Sequence, residues 1–246
     1  MSGHSHAANI AGKKSKTDAA KSKIYTKLGR EISVAVREGG GDPVSNQKLR
    51  DVIAKCRAAN MPNDNIWRSI RKAAGEGEAV DYVANLYEGY APGGVAVMVD
   101  TLTENKNRTV SDVRHAFDKH GGSMGASGCV SYMFDRKGVI VIAQGDLDED
   151  EFMMTALDAG ADDVELNEGY FEITTDPNNF SAVREELEKQ GLTFESAEVS
   201  YVAQNYIEVS DEETVTKIKK LIAMLEDLDD VQEVYHNAEL PVDDEE

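Results

Sequence analysis

The chain has 246 residues, 41% of them hydrophobic, and a formal net charge of −20. That is enough apolar material for a buried core, and no run approaches the roughly 18 to 20 apolar residues that cross a bilayer, which argues against a membrane protein. The two cysteines, Cys56 and Cys129, lie far apart with no CxxC, which argues against a disulfide framework or a zinc site and for two buried thiols.

Charge divides the chain in two. Residues 1–75 hold 15 lysines and arginines against 6 acids, net +9, and the rest holds 11 against 40, net −29. Such asymmetry suggests separate jobs: a basic end suits nucleic acid or an anionic membrane surface, and an acidic body favours solubility. The first 30 residues are basic and rich in Ser and Ala, a transit-peptide character, but they lack the apolar core of a secretory signal. The expected location is cytoplasmic.

In "KSKIYTKLGREISVAVREGGG" the residues Ile24, Leu28, Ile32, Ala35 and Val36 recur at helical spacing, and Gly39 to Gly41 supply a stop. Lys23, Lys27 and Arg30 follow at intervals of four and three, a cationic stripe beside the apolar face. A second helix is expected from about Asn46 to Asn60. A third starts at Pro62 and runs to about Ala73. Their outward positions include Lys48, Arg50, Lys55, Arg57, Arg68, Arg71 and Lys72, so the positive charge should continue from helix to helix as one surface. "AGEGEA" then reads as a linker.

Beyond it the period shortens. "NLYEGYAPGGVAVMVDTLT" reads as a hairpin, and "TVSDVRHAFDKHGG" as a helix with Thr109 and Asp112 in capping-box spacing and Gly121 at its exit. "GCVSYMF" reads as a further strand. From "GVIVIA" to "ESAEVSYV" the order is β-α-β, β-α-β, the split βαβ pattern of a ferredoxin-like domain. A last β-α-β, "YIEVS" to "VQEVYHN", should complete the sheet begun at residues 83–134. The expected class is α+β and multidomain: a basic helical domain (1–78), a discontinuous α/β domain (79–135 plus 204–246) and an inserted acidic ferredoxin-like domain (136–203).

Motifs for catalysis are missing: there is no GxSxG, GxxxxGK[ST], GxGxxG or HExxH. "DLDEDE" lacks the glycine of a calcium loop and suits a helix start, and "EDLDD" at 226–230 reads as a solvated helix end. His115 is expected on a polar face. His120, near a helix C-terminus, is expected to have its proton favoured there. "TENKNRTVSDVRHAF" brings Lys106 and Arg108 to a helix start, where free N–H groups favour an anion, with Arg114 one turn on. The basic helices best suit phosphate backbone, since their apolar faces are used against one another rather than on lipid.

"YTKLGREI", "GGGDPVSNQKLRDVIAKCRAANMPNDNI", "YEGYAPGGVAVMVDTLTENKNRTVSDVRHAFDKHGG" and "DDVQEVYHN" resemble the YebC/PmpR family, which includes the mitochondrial translational activator of cytochrome c oxidase subunit I. The likeness spans almost the whole chain. It implies three domains, one helical and two α/β, with the third inserted into the second. Members are catalogued as probable transcriptional regulators that bind DNA, and are also described as ribosome-associated factors that help translation through proline-rich stretches. No enzyme activity or obligatory metal is implied, and no cofactor or small-molecule substrate is expected. The implied surface includes the basic N-terminal segment and "NKNRTVSDVRHAF". His6 and Ala7 replace the Lys-Trp of the usual opening "GHSKWANI", which removes a possible base-stacking group.

The expectation is therefore a non-enzymatic nucleic-acid-binding regulator of gene expression. Its candidate contacts are Lys13, Lys14, Lys16, Lys21, Lys23, Lys27, Arg30, Lys106, Arg108, Arg114 and His115. Ribosomal RNA is the favoured target, because backbone-directed cations suit folded RNA shape. Promoter DNA is the alternative, and a protein-interaction scaffold is the reading from a different class.

Overall fold

The computed structural model describes residues 18–75 and 80–241. The described residues divide into two compact units, 18–75 with 136–200 and 80–135 with 201–241.

The first unit opens with three helices, α1 (Asp18–Gly39), α2 (Gln47–Ala58) and α3 (Asn63–Ala73). Their expected apolar positions meet: Leu28, Ile32, Ala35 and Val36 of α1 pack with Leu49, Val52, Ile53 and Cys56 of α2 and with Ile66 and Ile70 of α3. Asn46 joins the first two helices. Its side-chain oxygen accepts from the backbone N–H of Leu49 (3.0 Å), capping α2, while its amide nitrogen donates to the carbonyls of Ala35 (2.8 Å) and Gly40 (2.7 Å) at the end of α1. Burial pushes the Cys56 thiol up to about 12, with Glu31 adding to the effect, so it is an inert core side chain. Cys129 is only half-buried.

The rest of this unit is formed by β4 (Phe134–Ala143), α5 (Glu149–Asp158), β5 (Asp163–Asn167), β6 (Tyr170–Thr175), α6 (Phe180–Lys189) and β7 (Ser196–Ala203), the first two residues of β4 and the last three of β7 belonging to the second unit. The sheet order β5-β6-β4-β7 is that of a ferredoxin-like fold, with β6 antiparallel to both neighbours. Phe152, Phe171, Ile140, Ile173, Val183 and Leu187 form its core. The acids of "DLDEDE" begin α5 as anticipated, Asp148 accepting from the N–H of Glu151 at 3.0 Å.

The second unit is built on the sheet β3-β1-β2-β9: β1 (Val83–Tyr90), β2 (Ala96–Thr103), β3 (Ser123–Met124) and β9 (Val231–His236). One face is covered by α4 (Lys106–Lys119) and α7 (Glu212–Asp227), where Val113, Phe117, Ile218, Leu221 and Leu225 meet Val97, Val99, Val231 and Val234. On the other face Met98 and Ala96 pack with Val130, Phe134 and Ala203. β1 and β2 form the expected hairpin. Gly89 lets β3 approach, since a Cβ there would lie 2.5 Å from the Ser123 carbonyl and 2.9 Å from the Phe117 ring.

Three expectations change. β9 joins the sheet, but β8 (Ile207–Glu208) pairs instead in parallel with β10 (Ala238–Glu239). The capping-box reading fails because Asn105 is the cap of α4, accepting from Arg108 N–H at 3.1 Å, so the helix starts three residues before Thr109. "GCVSYMF" is not a strand up to Phe134. The buried Glu88 carboxylate accepts from the backbone N–H groups of Gly128, Val130 and Ser131, each at 2.8 Å, and these donors are then lost to any ladder. Burial alone would push the Glu88 carboxyl up; the three N–H bonds, with the Ser131 hydroxyl, outweigh it and hold the group below its ordinary value.

Candidate nucleic-acid interface

Lys13, Lys14 and Lys16 lie outside the described residues. Lys21 and Lys23 are exposed on α1, and Lys27 and Arg30 are half-buried one and two turns further along. The apolar flank of α1 is in the core, so the stripe of Lys23, Lys27 and Arg30 runs beside a fixed face, as the spacing required.

The continuation onto α2 is corrected for three of its four cations, Arg57 alone staying exposed and without a carboxylate partner among the described residues. Lys48 pairs with Glu38 (2.7 Å), Lys55 with Glu31 (3.0 Å) and Glu198 (2.8 Å), and Arg50 with Glu185 (3.0 Å). Their charge is largely cancelled within the unit. On α3, Arg68, Arg71 and Lys72 are exposed.

Arg50 belongs to a larger network that clamps α2 to α6. Arg184, with only 3% of its side chain exposed, reaches Asp51 (3.2 Å), Glu188 (2.8 Å) and Glu185 (3.3 Å), and Ser181 Oγ donates to Asp51 at 2.6 Å. Gln47, and after it Arg50, hold the Glu185 carboxyl below its usual value. A buried guanidinium needs such a complete set of acceptors.

On α4, Lys106 at its first residue and Arg114 and His115 more than two turns further along are exposed. Arg108 is engaged internally. Its Nη2 donates to both oxygens of Asp230, at 3.0 and 2.9 Å, and that carboxylate also accepts from the Thr109 (2.8 Å) and Thr103 (3.1 Å) hydroxyls. The Asp230 contact raises the Arg108 pKa above its ordinary value. Asp230 is buried, which overturns the reading of "EDLDD" as wholly solvated. With Asn105 on the helix end and Asp230 on Arg108, the anion-attracting capacity here rests on Lys106, Arg114 and His115. His120 also differs from expectation: burial lowers its pKa, and Lys119, Lys220 and His115 lower it further, so its proton is disfavoured.

Among the described residues no three His, Cys, Asp or Glu side chains converge as metal ligands, and no helix is long and apolar enough to cross a membrane. The residues that spacing missed are Asp230, Arg184 and Glu88. Each meets partners far along the chain, where local pattern carries no signal.

Residues 5–76 match the TACO1/YebC protein N-terminal domain, and residues 82–238 match the TACO1/YebC second and third domain. A protein of Clostridium novyi named as a probable transcriptional regulatory protein is 61% identical over 98% of both chains. One of the same name from Acetivibrio thermocellus is 57% identical over 96% of this chain and 98% of its own. The crystal structure of a conserved hypothetical protein from Aquifex aeolicus superposes with a TM-score of 0.83 at 48% identity, covering 93% of this chain and 94% of that one.

Proposed function

The chain belongs to the TACO1/YebC family, and on that premise we propose that it is a non-enzymatic, cytoplasmic regulator of gene expression that acts by binding nucleic acid, with transcription as the process regulated. The observation that carries this reading is the net +9 of residues 1–75 in a chain that is otherwise −29, with lysines standing in helical register on α1. Phosphate backbone is the partner such a stripe suits. The names of the Clostridium and Acetivibrio relatives support DNA as the target. The proposed contacts are Lys13, Lys14, Lys16, Lys21, Lys23, Lys27 and Arg30, with Lys106, Arg108, Arg114 and His115 as a second group. Arg108, its charge balanced by Asp230, would be the weakest contact of that group.

A second reading is favoured by the make-up of α1, which carries no Asn or Gln and so offers backbone contacts without the amides that read adenine edges. On that reading the target is ribosomal RNA, and the protein assists elongation through proline-rich stretches. Crosslinking the protein in cells and sequencing the attached nucleic acid tests both. Promoter DNA supports transcription and ribosomal RNA supports translation; recovery of neither overturns the nucleic-acid reading and leaves a protein scaffold.

A further inference from the structure

The first unit holds a cleft of about 470 Å³ bordered by α2, the loop before it, α3 and the end of α6. The volume falls in the range of small-ligand sites. Ile53 and Ala54 of α2 and Pro43 give it apolar lining. Trp67, the only tryptophan of the chain, also lines it and keeps 41% of its surface exposed, whereas Ile66 and Ile70 of the same helix are in the core. A tryptophan left at the surface of a concave site is poised for stacking.

The charges around it favour an anion. Glu185 and Glu188 line the cleft, but Arg50 holds the first at 3.0 Å and the buried Arg184 holds the second at 2.8 Å. Arg57 lines it too, exposed and with no carboxylate partner among the described residues, and Lys189 is exposed beside it with only a 3.4 Å contact to Glu186.

We infer that this cleft is a subsite for one unstacked nucleotide of a single strand, its base against the Trp67 indole and its phosphate between Arg57 and Lys189. Aromatic stacking with a cationic track is how single strands are held without sequence preference. The inference rests on the nucleic-acid reading above and adds a base contact to a surface otherwise suited to backbone.

The test titrates the full chain with a single-stranded RNA of about 12 nucleotides, DNA of the same sequence, and the corresponding DNA duplex. Binding is followed by the emission of Trp67 and by the anisotropy of a label on the probe. The expected result is quenching of Trp67 in step with anisotropy for one or both single strands, the RNA and DNA arms identifying which. Trp67→Ala, shown to be folded by circular dichroism, should weaken single-strand binding about 5- to 150-fold and duplex binding less, with Trp67→Phe recovering most of the loss. Single strands that bind with no change in emission and bind Trp67→Ala equally well overturn the subsite and leave the nucleic-acid reading intact. An equal loss for duplex and single strand also overturns it. Absence of binding to all three probes removes the nucleic-acid reading and the subsite together.

Discussion

Glu88 shows how one side chain can set the course of a loop. Its carboxylate takes three backbone N–H groups that no other acceptor serves, so the segment from Gly128 to Ser131 folds around a charge instead of pairing as a strand. Glu88→Gln replaces one accepting oxygen by a donor facing donors, and should cost about 2–4 kcal/mol at neutral pH in urea unfolding. The folded-state pKa is depressed, so this stabilisation is complete above the ordinary carboxyl value, about 4.3, and is lost as pH falls through the lower folded value. The gap between the two proteins should therefore narrow in acid. None of this was legible locally, because "YEGY" reads as strand whether or not its glutamate has partners 40 residues away. The Arg108 to Asp230 pair failed to announce itself for the same reason: a cation at a helix start and an acid after a helix are each ordinary until the fold joins them.

At the scale of elements the sequence was far more informative. Periodicity placed α1, α2 and α3, and the βαββαβ order led to the observed strand order, because both depend on which faces are apolar. Charge was harder to read. An outward lysine can face solvent, as the exposed Lys72 does, or a carboxylate of another element, as Lys55 does with Glu198. Spacing cannot separate these cases. The functional weight of α1 is tested by Lys23→Glu, Lys27→Glu and Arg30→Glu in one variant. Nucleic-acid binding should be abolished, and binding by the unaltered protein should fall with salt at a log–log slope of about −0.7 to −0.9 per phosphate neutralised. A salt-independent affinity contradicts the electrostatic contact.

At the scale of the molecule, the helical residues and the ferredoxin-like residues form one compact unit although residues 80–135 of the other unit separate them in sequence order. The ionic network around Arg184 is a principal tie, since it binds α2 to α6 through Asp51, Glu185 and Glu188. Arg184→Ala removes the shared partner of these three acids. Amide exchange in α1 to α3 should then accelerate by roughly ten- to a hundredfold, while the strands β1, β2 and β9 of the other unit keep their protection. Equal acceleration in both units would mean that the network stabilises the chain globally rather than this tie.

Asn46 has a consequence for the lengths the chain can tolerate. Its one amide closes the end of α1 and opens α2, so the span from Gly40 to Asn46 is measured out by two sets of hydrogen bonds at once. An extra residue among positions 41–45 would carry the amide away from one helix or the other, and should lower the thermal midpoint by several degrees. The same insertion at the exposed turn of Glu168 and Gly169 disturbs a two-residue hairpin and one bond, from Gln144 N–H to the Gly169 carbonyl at 2.8 Å, rather than two helix ends, and should cost less. Surface loops usually absorb changes of length; this one acts as a gauge block, and with it the direction of the lysine-bearing helix is held.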